Sequence, residues 1–460
     1  MIEGFRAVRA ALDQGEVSSH DLVRACLDRI DALDEFYAAW MHVDAERALT
    51  AAKQADARRQ RTARSPSLPS DSHSIEGIPV GLKDNIAVEG LPLTVGSPAY
   101  RDRVAVTDAA IVHRMRSAGA IVVGKQRLHE LGLGDAVVAG EFRTSRHPWN
   151  DAYVPGGSSC GSAVATRLGM CQVSVGGDTG GSVRNPAASC GVVGFKPTTG
   201  VLDGRGIAPL CWSMDTPGFL GRSVADALAA FAATVPDRGA DATSPDTVVV
   251  GVPANGVDDD VVAPIRRMLE DVAGRLPGLD GPGIRRVEVR ELPALPLDDA
   301  APIWQARLAE MADAHAVEKA TNQHGFGQPV VELLDLGAGI SAHDYGRSWT
   351  DAARFTERID AAFDPVDVLL LPTNPRPALP WSSWVRSGQD DSSVFEWYRF
   401  LWPFNVSGHA AVSLPWGLDD EGVPLSVQLV ARRGQDVALL ALAELLEAAS
   451  PRLPRPPAVA

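Results

Sequence analysis

Serine and glycine concentrate in two short stretches near the middle of the chain. Residues 155–162 read PGGSSCGS, and residues 176–184 read GGDTGGSVR. Glycine loses much conformational entropy on folding, so such clusters indicate backbone that takes a positive φ or approaches another group closely. A serine hydroxyl on such a loop can act as a nucleophile when a base removes its proton. The two stretches are therefore the first place to search for chemistry.

A lysine that could serve as this base ends an apolar run upstream. Residues 77–85 read GIPVGLKDN, with Lys83 directly after the apolar positions. A lysine is neutral near pH 7 only if burial lowers its pKa from about 10.4 by several units. The setting of Lys83 fits that requirement, although a single lysine is more often a solvated surface residue.

A phosphate-binding loop is a competing interpretation of residues 119–125. Their glycine and lysine positions fit a P-loop, but the residues between them form an apolar strand, and Gln126 stands where a metal-binding serine or threonine belongs. We reject this interpretation and expect a buried strand followed by a solvated Lys125.

A hydrolase nucleophile elbow is a second alternative. Residues 157–161 match G-x-S-x-G with Ser159 as nucleophile. The match is short, and the downstream histidines that it would require, His315 and His409, lie in no distinctive context. The pairing of serine with lysine explains more of the sequence.

Several motifs together resemble the amidase signature family of amide hydrolases. They occur in the family's order and include GIPVGLKDN at 77–85, GGSSCGS at 156–162, GDTGGSVRNPA at 177–187 and CGVVGFKPT at 190–198. Similarity continues through 215–218, 223–226, 404–410 and 424–430. Residues 240–400 are the exception, and family members usually differ there.

The resemblance implies a Ser–cis-Ser–Lys triad. Ser182 matches the nucleophile, Ser158 the bridging serine that follows a cis peptide bond, and Lys83 the base. Lys83 would take a proton from Ser158 while Ser158 takes one from Ser182, and the alkoxide would attack the substrate carbonyl.

The resemblance also implies roles for neighbours of the triad. Main-chain N–H groups of Thr179, Gly180 and Gly181, together with Ser182, would stabilise the oxyanion. Ser159 would orient the triad, although it could equally be the N-cap of a helix that begins near Gly161. We expect Asp178 and Arg184 to pair with each other or with backbone as structural support. Cys160 departs from the family's usual glycine or serine, and we interpret it as a small packing residue.

Aromatic residues are candidates for the walls of a substrate pocket. The polar segment 387–393 is flanked by tryptophans and could form a lid or pocket wall, although a single tryptophan more often fills a core. The predicted pocket residues are Trp212, Met214, Trp381 and Trp384.

The elements that must position these residues follow an α/β pattern. From residue 75 to 225, short β-branched runs alternate with glycine-rich turns and alanine-rich helical stretches. Further strands are predicted at 248–252, 366–371 and 425–429. Because strands recur to the end, we expect one large domain with a mixed, mostly parallel twisted central sheet covered by helices.

We divide the predicted domain, 1–460, into four parts. Residues 1–74 form an N-terminal helical segment and loop, 75–230 the catalytic core, 240–400 a variable substrate-shaping region, and 401–460 the C-terminal strands and helix. An amphipathic helix is predicted over 18–35, with Ser18 and Asp21 as a capping box, and an apolar helix over 437–449. The arginine-rich segment 58–74 is expected to be an exposed loop.

Composition limits the possible partners and environments. The 460 residues include 43 Lys and Arg against 58 Asp and Glu, which gives a net charge of −15. Such a charge repels nucleic acid, and no apolar run has the roughly 20 residues of a membrane-spanning helix. The five cysteines follow no disulfide or zinc spacing. We expect a cytoplasmic monomer or homodimer without metal or cofactor.

The sequence thus predicts a hydrolase that acts on a small-molecule amide through a serine acyl-enzyme. Aryl or apolar amides are the expected substrates, and carbamates (urethanes) and esters are accessible to the same chemistry. The alternative is a glutamine-hydrolysing amidotransferase subunit that supplies ammonia for aminoacyl-tRNA synthesis.

Overall fold

Eleven strands of the described chain form one mixed sheet. The computed structural model describes residues 4–63, 74–134, 144–235, 246–382 and 396–459. The strands are β1 (Trp40–Val43), β2 (Pro79–Lys83), β3 (Ile121–Gln126), β4 (Val173–Asp178), β5 (Val193–Lys196), β6 (Thr216–Gly221), β7 (Thr247–Pro253), β8 (Arg286–Leu292), β9 (Val368–Pro372), β10 (Ala410–Leu418) and β11 (Pro424–Ala431).

Helices cover the two faces of this sheet. They are α1 (Phe5–Gln14), α2 (Ser19–Tyr37), α3 (Ala45–Ala63), α4 (Ala110–Ser117), α5 (Cys160–Arg167), α6 (Arg184–Cys190), α7 (Val224–Thr234), α8 (Ala263–Arg275), α9 (Trp304–Ala314), α10 (Ala316–Asn322), α11 (Gln328–Ala338), α12 (Ala342–Ala362), α13 (Pro403–Val406) and α14 (Asp436–Ala449). The predicted single α/β domain with a large mixed sheet is confirmed. The four proposed subdivisions remain a prediction.

The sheet is less parallel than expected. Its strand order is β1-β3-β2-β4-β6-β5-β10-β11-β9-β7-β8. Four neighbouring pairs are parallel and six are antiparallel. The prediction of a mostly parallel sheet is therefore wrong. One reason is local: β10 and β11 are joined by a short turn, and a short turn can connect only antiparallel neighbours.

The N-terminal helices confirm one prediction and correct another. Helix α2 begins after Ser18, whose side chain forms the predicted capping box with Asp21. Residues 58–63, expected to belong to a loop, continue α3 instead. Ala48, Ala52 and Ala55 bury one face of α3, so the arginines lie on a helix that the alanine face attaches to the core. Residues 64–73 lie outside the described part of the chain.

Lys125 is not solvated. The strand predicted before it is present as β3, but its side chain is fully buried within that strand. Nζ of Lys125 donates to Oδ1 of Asp84 at 2.7 Å and to the carbonyl of Pro92 at 2.9 Å. Asp84 also accepts from the backbone N–H and hydroxyl of Thr94. A buried, satisfied ion pair thus replaces the expected surface lysine, and the prediction is wrong.

Two neighbouring parallel strands position the candidate site. Strands β2 and β4 pair through Val80 with Val173 and Leu82 with Val175. Parallel strands end at the same edge of a sheet, so Lys83 at the end of β2 lies near the loop that follows Asp178 at the end of β4. That loop leads directly into α6. Within the described residues, no helix is both long and apolar enough to cross a membrane.

Candidate active site

Lys83 and Ser158 are in direct contact in the interior. Nζ of Lys83 donates to Oγ of Ser158 at 2.8 Å and to the carbonyl of Gly177 at 3.3 Å. Lys83 is 1% exposed and Ser158 is fully buried. The peptide bond between Gly157 and Ser158 is cis, as expected for the bridging serine. The structure therefore brings the predicted base and the predicted bridging residue together.

Burial keeps a larger share of Lys83 in the neutral form than of an ordinary lysine. Loss of hydration disfavours the ammonium form and lowers the pKa of Lys83 to about 8, while the negative charges of Asp178 and Asp215 act in the opposite direction. A large share of the side chain is then neutral in mildly alkaline solution. A neutral amine can accept a proton from Ser158, which a protonated one cannot.

Ser182 lies in the loop between β4 and α6, on the wall of a small cavity. It is 6% exposed, and its carbonyl accepts a hydrogen bond from the backbone N–H of Ser159 at 3.2 Å. Gly132 lines the same cavity, and a Cβ added there would lie 3.6 Å from Oγ of Ser158. Within the described chain, the hydroxyls of Ser158 and Ser182 form no hydrogen bond with each other. The three predicted triad residues thus converge on one region.

Asp178 organises the loop that carries Ser182. Its Oδ1 accepts from the N–H of Gly181 at 2.8 Å, and its Oδ2 accepts from the N–H of Val183 at 3.1 Å. The guanidinium of Arg184 approaches both oxygens, at 2.9 and 3.1 Å. Burial opposes ionisation, but Arg184 holds the pKa of Asp178 well below its usual range. The expected pair between Asp178 and Arg184 is therefore present.

The same network corrects the predicted oxyanion hole. Thr179, Gly180 and Ser182 line the cavity, whereas the N–H of Gly181 donates to Asp178 and is not available to a substrate. Gly181 has a φ of +114°, and a Cβ there would lie 2.6 Å from Cδ1 of Leu401. A side chain at this position would be strained by the positive φ and would clash with Leu401.

Two residues that the sequence analysis did not single out complete this network. Asn405 donates to the carbonyl and Oδ1 of Asp178 at 2.8 and 2.9 Å, and accepts from Arg184 at 2.6 Å. Gln428 accepts from Arg184 at 2.8 Å. Both belong to segments, 404–410 and 424–430, that carry part of the family resemblance. The family resemblance of these segments could have identified both residues from the sequence.

Ser159 and Cys160 stand at the start of α5. Ser159 occupies the N-cap position, but its side chain forms no capping hydrogen bond and lies 3.5 Å from the carbonyl of Gly177. Cys160 is fully buried, with Sγ 3.6 Å from the hydroxyl of Ser145 and 3.8 Å from the carbonyl of Arg127. Neither residue lines the cavity.

The cavity next to Ser182 has mostly apolar walls and one cation. Its free volume is about 30 Å³, so a group bound there touches several walls at once. Beside the residues of the nucleophile loop, the walls are Gly132, Leu133, Gly134, Leu210, Trp304, Arg307, Tyr398 and Trp402. A larger open cleft of about 820 Å³ includes His113 and Arg114 but none of the predicted site residues. We therefore place the candidate site at the smaller cavity.

The predicted pocket residues lie elsewhere or outside the described chain. Trp212 is 51% exposed, and Met214 is 1% exposed within the main hydrophobic core. The backbone N–H of Trp381 donates to the carbonyl of Ala152, away from the cavity walls. Trp384 and the predicted lid 387–393 fall outside the described residues. The tryptophans at the cavity are Trp304 and Trp402, which are distant in sequence and meet through tertiary contacts.

Metal ligands are not clustered in the part of the chain that the structure describes. No group of three or more His, Cys, Asp or Glu side chains there is arranged to hold a metal ion.

Comparison with known sequences gives matches along nearly the whole chain. The family model described as Amidase matches residues 21–440. A glutamyl-tRNA(Gln) amidotransferase subunit of Desulforapulum autotrophicum is 32% identical, over 98% of this chain and 98% of that protein. The corresponding glutamyl-tRNA(Gln) amidotransferase subunit of Myxococcus xanthus is 31% identical, over 95% of each.

Solved structures with the same fold carry the names of amide-cleaving enzymes. A structure described as an amidase aligns with a TM-score of 0.83 at 29% identity, over 96% of this chain and 99% of that one. A peptide amidase in complex with chymostatin gives 0.82 at 27% identity, over 98% of each chain. A 6-aminohexanoate cyclic dimer hydrolase complexed with substrate gives 0.85 at 25% identity, over 100% and 99%.

Proposed function

This chain belongs to the amidase family, and we propose that it cleaves carboxylic amides through an acyl-enzyme on Ser182. That it is a hydrolase of C–N amide bonds follows from the family and its relatives. The observation that carries the mechanism is the buried contact of 2.8 Å between Lys83 and Ser158, beside the cavity that Ser182 lines.

The proposed reaction begins with a proton relay. Neutral Lys83 takes the proton of Ser158 while Ser158 takes that of Ser182, and Oγ of Ser182 attacks the substrate carbonyl. The C–N bond breaks when the leaving nitrogen receives the proton that Lys83 holds. Water then hydrolyses the ester on Ser182 and releases the carboxylic acid.

The oxyanion of the tetrahedral intermediate would be bound by main-chain N–H groups of the nucleophile loop. Gly180 and Ser182 line the cavity. Their backbone N–H groups donate no hydrogen bond to any described residue. Thr179 is the third wall residue of this loop. Its hydroxyl donates to Asp215, and this hydrogen bond holds the loop in place. Gly181 has no such role in this proposal because its N–H is used by Asp178.

The substrate is proposed to be an aryl or otherwise apolar amide. Trp304 and Trp402 meet edge to face, with ring centroids 5.5 Å apart, and together with Leu133 and Leu210 they provide an apolar wall beside the nucleophile. Carbamates and esters present the same carbonyl to Ser182, so the same acyl transfer is accessible to them.

A second candidate is a glutamine-hydrolysing amidotransferase subunit that supplies ammonia to a partner. It is favoured by the names of the curated relatives that match nearly the whole chain. Under this view the purified chain hydrolyses glutamine and co-purifies with other subunits. Under the first view it hydrolyses hydrophobic anilides alone, as the aromatic walls of the cavity favour.

The decisive experiment compares the wild type with Ser182→Ala on a panel of anilides, carbamates, esters and glutamine. We expect the variant to lose roughly 10⁴-fold or more in kcat. Mass spectrometry of quenched wild-type reactions should detect an acyl group on the peptide that contains Ser182. Ser159→Ala is measured beside it, because Ser159 is the alternative nucleophile that the G-x-S-x-G match would assign, and it does not line the cavity. Turnover that survives in Ser182→Ala and is lost in Ser159→Ala would move the nucleophile.

A further inference from the structure

Arg307 is a buried cation without a protein counter-ion among the described residues. It lies on α9, is 6% exposed and lines the same cavity as Ser182. Its guanidinium stacks on the ring of Trp304, with Cζ 3.8 Å from the ring centroid. Nε is sealed from solvent without a hydrogen-bond partner, and no hydrogen bond or ion pair joins the side chain of Arg307 to any residue of the described chain.

A buried, unpaired guanidinium destabilises the folded protein unless another group neutralises its charge. Buried cations in proteins are normally paired, and leaving one unpaired is strongly unfavourable. Arg184, which is also buried, shows the ordinary case: it bonds to Asp178, Gln428 and Asn405. Among the described residues, Arg307 contacts only the face of Trp304, and a cation–π contact offsets a small part of the lost hydration.

Two carboxylates of this region, Asp215 and Glu310, are engaged by other groups. Asp215 is committed to the loop, because its oxygens accept from the N–H groups of Leu210 and Cys211 and from the hydroxyl of Thr179. Glu310 lies one turn along α9 and accepts from Ser213 and from the hydroxyl of Tyr345.

Arg307 stays protonated near neutral pH. Burial lowers the pKa of Arg307 to about 10, and the negative charge of Asp215 opposes this effect in part. Burial also raises the pKa of Asp215 to about 6, so acidification neutralises a carboxylate that is already engaged by the loop. Near neutral pH the cavity therefore presents a positive guanidinium beside the nucleophile.

We propose that Arg307 binds a carboxylate of the substrate, so that the amide cleaved at Ser182 carries an anionic group. This inference rests on the proposed function and narrows its substrate class to amides with an apolar body and a carboxylate. A guanidinium presents parallel N–H donors that match the two oxygens of a carboxylate. Trp304, which supports the guanidinium, and Trp402 would enclose the apolar part.

Two pairs of probe amides test the proposal on either side of the scissile bond. The first pair is the mono-p-nitroanilide of glutaric acid and the p-nitroanilide of hexanoic acid, which differ by a carboxylate on the acyl side. The second pair is benzoyl-β-alanine and N-butylbenzamide, which differ by a carboxylate on the amine side. We expect the wild type to prefer the carboxylate member of at least one pair by about tenfold or more in kcat/KM.

Three variants connect the preference to Arg307. Arg307→Met should remove it, mainly through a higher KM for the carboxylate amide, so that the variant hydrolyses the two members of the pair at similar kcat/KM. Arg307→Lys should retain part of it, because the charge remains and the paired donors are lost. Arg354→Met, which removes an arginine that is 73% exposed, is the control for net charge. Arg307→Met should melt no lower than the wild type, since it removes a buried charge that no described residue neutralises.

A binding measurement separates this inference from the proposed function. Calorimetry on Ser182→Ala should show the preferred carboxylate amide binding at least tenfold more tightly than on Ser182→Ala/Arg307→Met. If the wild type hydrolyses both members of each pair equally and Arg307→Met changes nothing, the carboxylate site is overturned while the amidase proposal stands. If binding depends on Arg307 but no probe is cleaved and no Ser182 adduct forms, the anion site stands and the catalytic proposal is overturned.

Discussion

Nζ of Lys83 lies 2.8 Å from Oγ of Ser158, and both side chains are shielded from solvent. The ammonium form has lost its hydration there, and the neighbouring negative charges do not restore it, so the pKa of Lys83 falls to about 8. The contact therefore places a base with an unusually low pKa against a hydroxyl. The pH dependence of the reaction should report on it directly.

We predict that kcat/KM rises with pH and reaches a plateau above about pH 8. Below the pKa, Lys83 is protonated and cannot accept the proton of Ser158, so activity falls as the solution becomes more acidic. Rates measured from pH 6 to 10 on a neutral amide test this. Lys53→Met, which removes an exposed lysine of α3, should keep the same midpoint. A profile that is flat, or a midpoint near that of a free lysine, would contradict the assignment.

Replacing Gly181 by alanine should damage the fold as well as activity. The new Cβ would lie 2.6 Å from Cδ1 of Leu401, on backbone with a φ of +114°. We expect the free energy of unfolding to fall by about 1–3 kcal/mol. Urea denaturation of Gly181→Ala and of Gly204→Ala, whose Cβ would meet open space, makes the comparison. Equal stability of the two variants would show that packing against Leu401 does not require glycine.

Removing Arg184 should be among the most destabilising single changes near the site. Arg184→Met leaves the carboxylate of Asp178 buried without its counter-ion, which costs about 3–5 kcal/mol. Arg205→Met breaks an exposed pair with Asp203 and should leave the free energy of unfolding nearly unchanged, because solvent screens that pair. Denaturant unfolding of both variants at neutral pH measures the difference. If both variants lose a similarly small free energy of unfolding, the pair of Asp178 and Arg184 does not stabilise the fold as predicted.

The same pair has a pH signature of defined sign. Since Arg184 outweighs burial and leaves the pKa of Asp178 below its usual value, the folded state binds fewer protons than the unfolded state in acid. The stabilisation is fully present above the unfolded pKa of about 3.9 and is lost as pH falls further. In Asp178→Asn this acid-dependent part of the stability should disappear, as unfolding curves at pH 3 and pH 6 would reveal.

Cys160→Ala should retain activity within about threefold. The thiol is buried beside Ser145 and Arg127 and is not among the cavity walls, so we expect it to fill space and not to react with substrate. Steady-state rates of Cys160→Ala and Ser182→Ala on one amide substrate make the comparison. A Cys160 variant as inactive as the Ser182 variant would assign chemistry to the thiol.

Local signals in the sequence were enough for much of the fold. The capping box of Ser18 and Asp21 predicted where α2 begins, because a cap depends on residues three positions apart. Apolar runs predicted β3, β7, β9 and β11, because the strand signal also lies within a few consecutive residues. The glycine-serine stretches and the run ending at Lys83 indicated the triad region, since the required residue types lie inside short continuous motifs.

What the sequence by itself determined about this protein was its family, its α/β class and the segments that carry the predicted nucleophile and base. Tertiary structure alone decided which groups in those segments are free to act. Lys83 and Ser158 are 75 residues apart in sequence yet touch, and the N–H of Gly181 is taken by the side chain of Asp178. Tertiary structure also buried Lys125 against Asp84. It placed Arg307 in the cavity with no counter-ion among the described residues. The reason is physical: burial and pairing depend on which distant elements pack together, and no short window of residues contains that information.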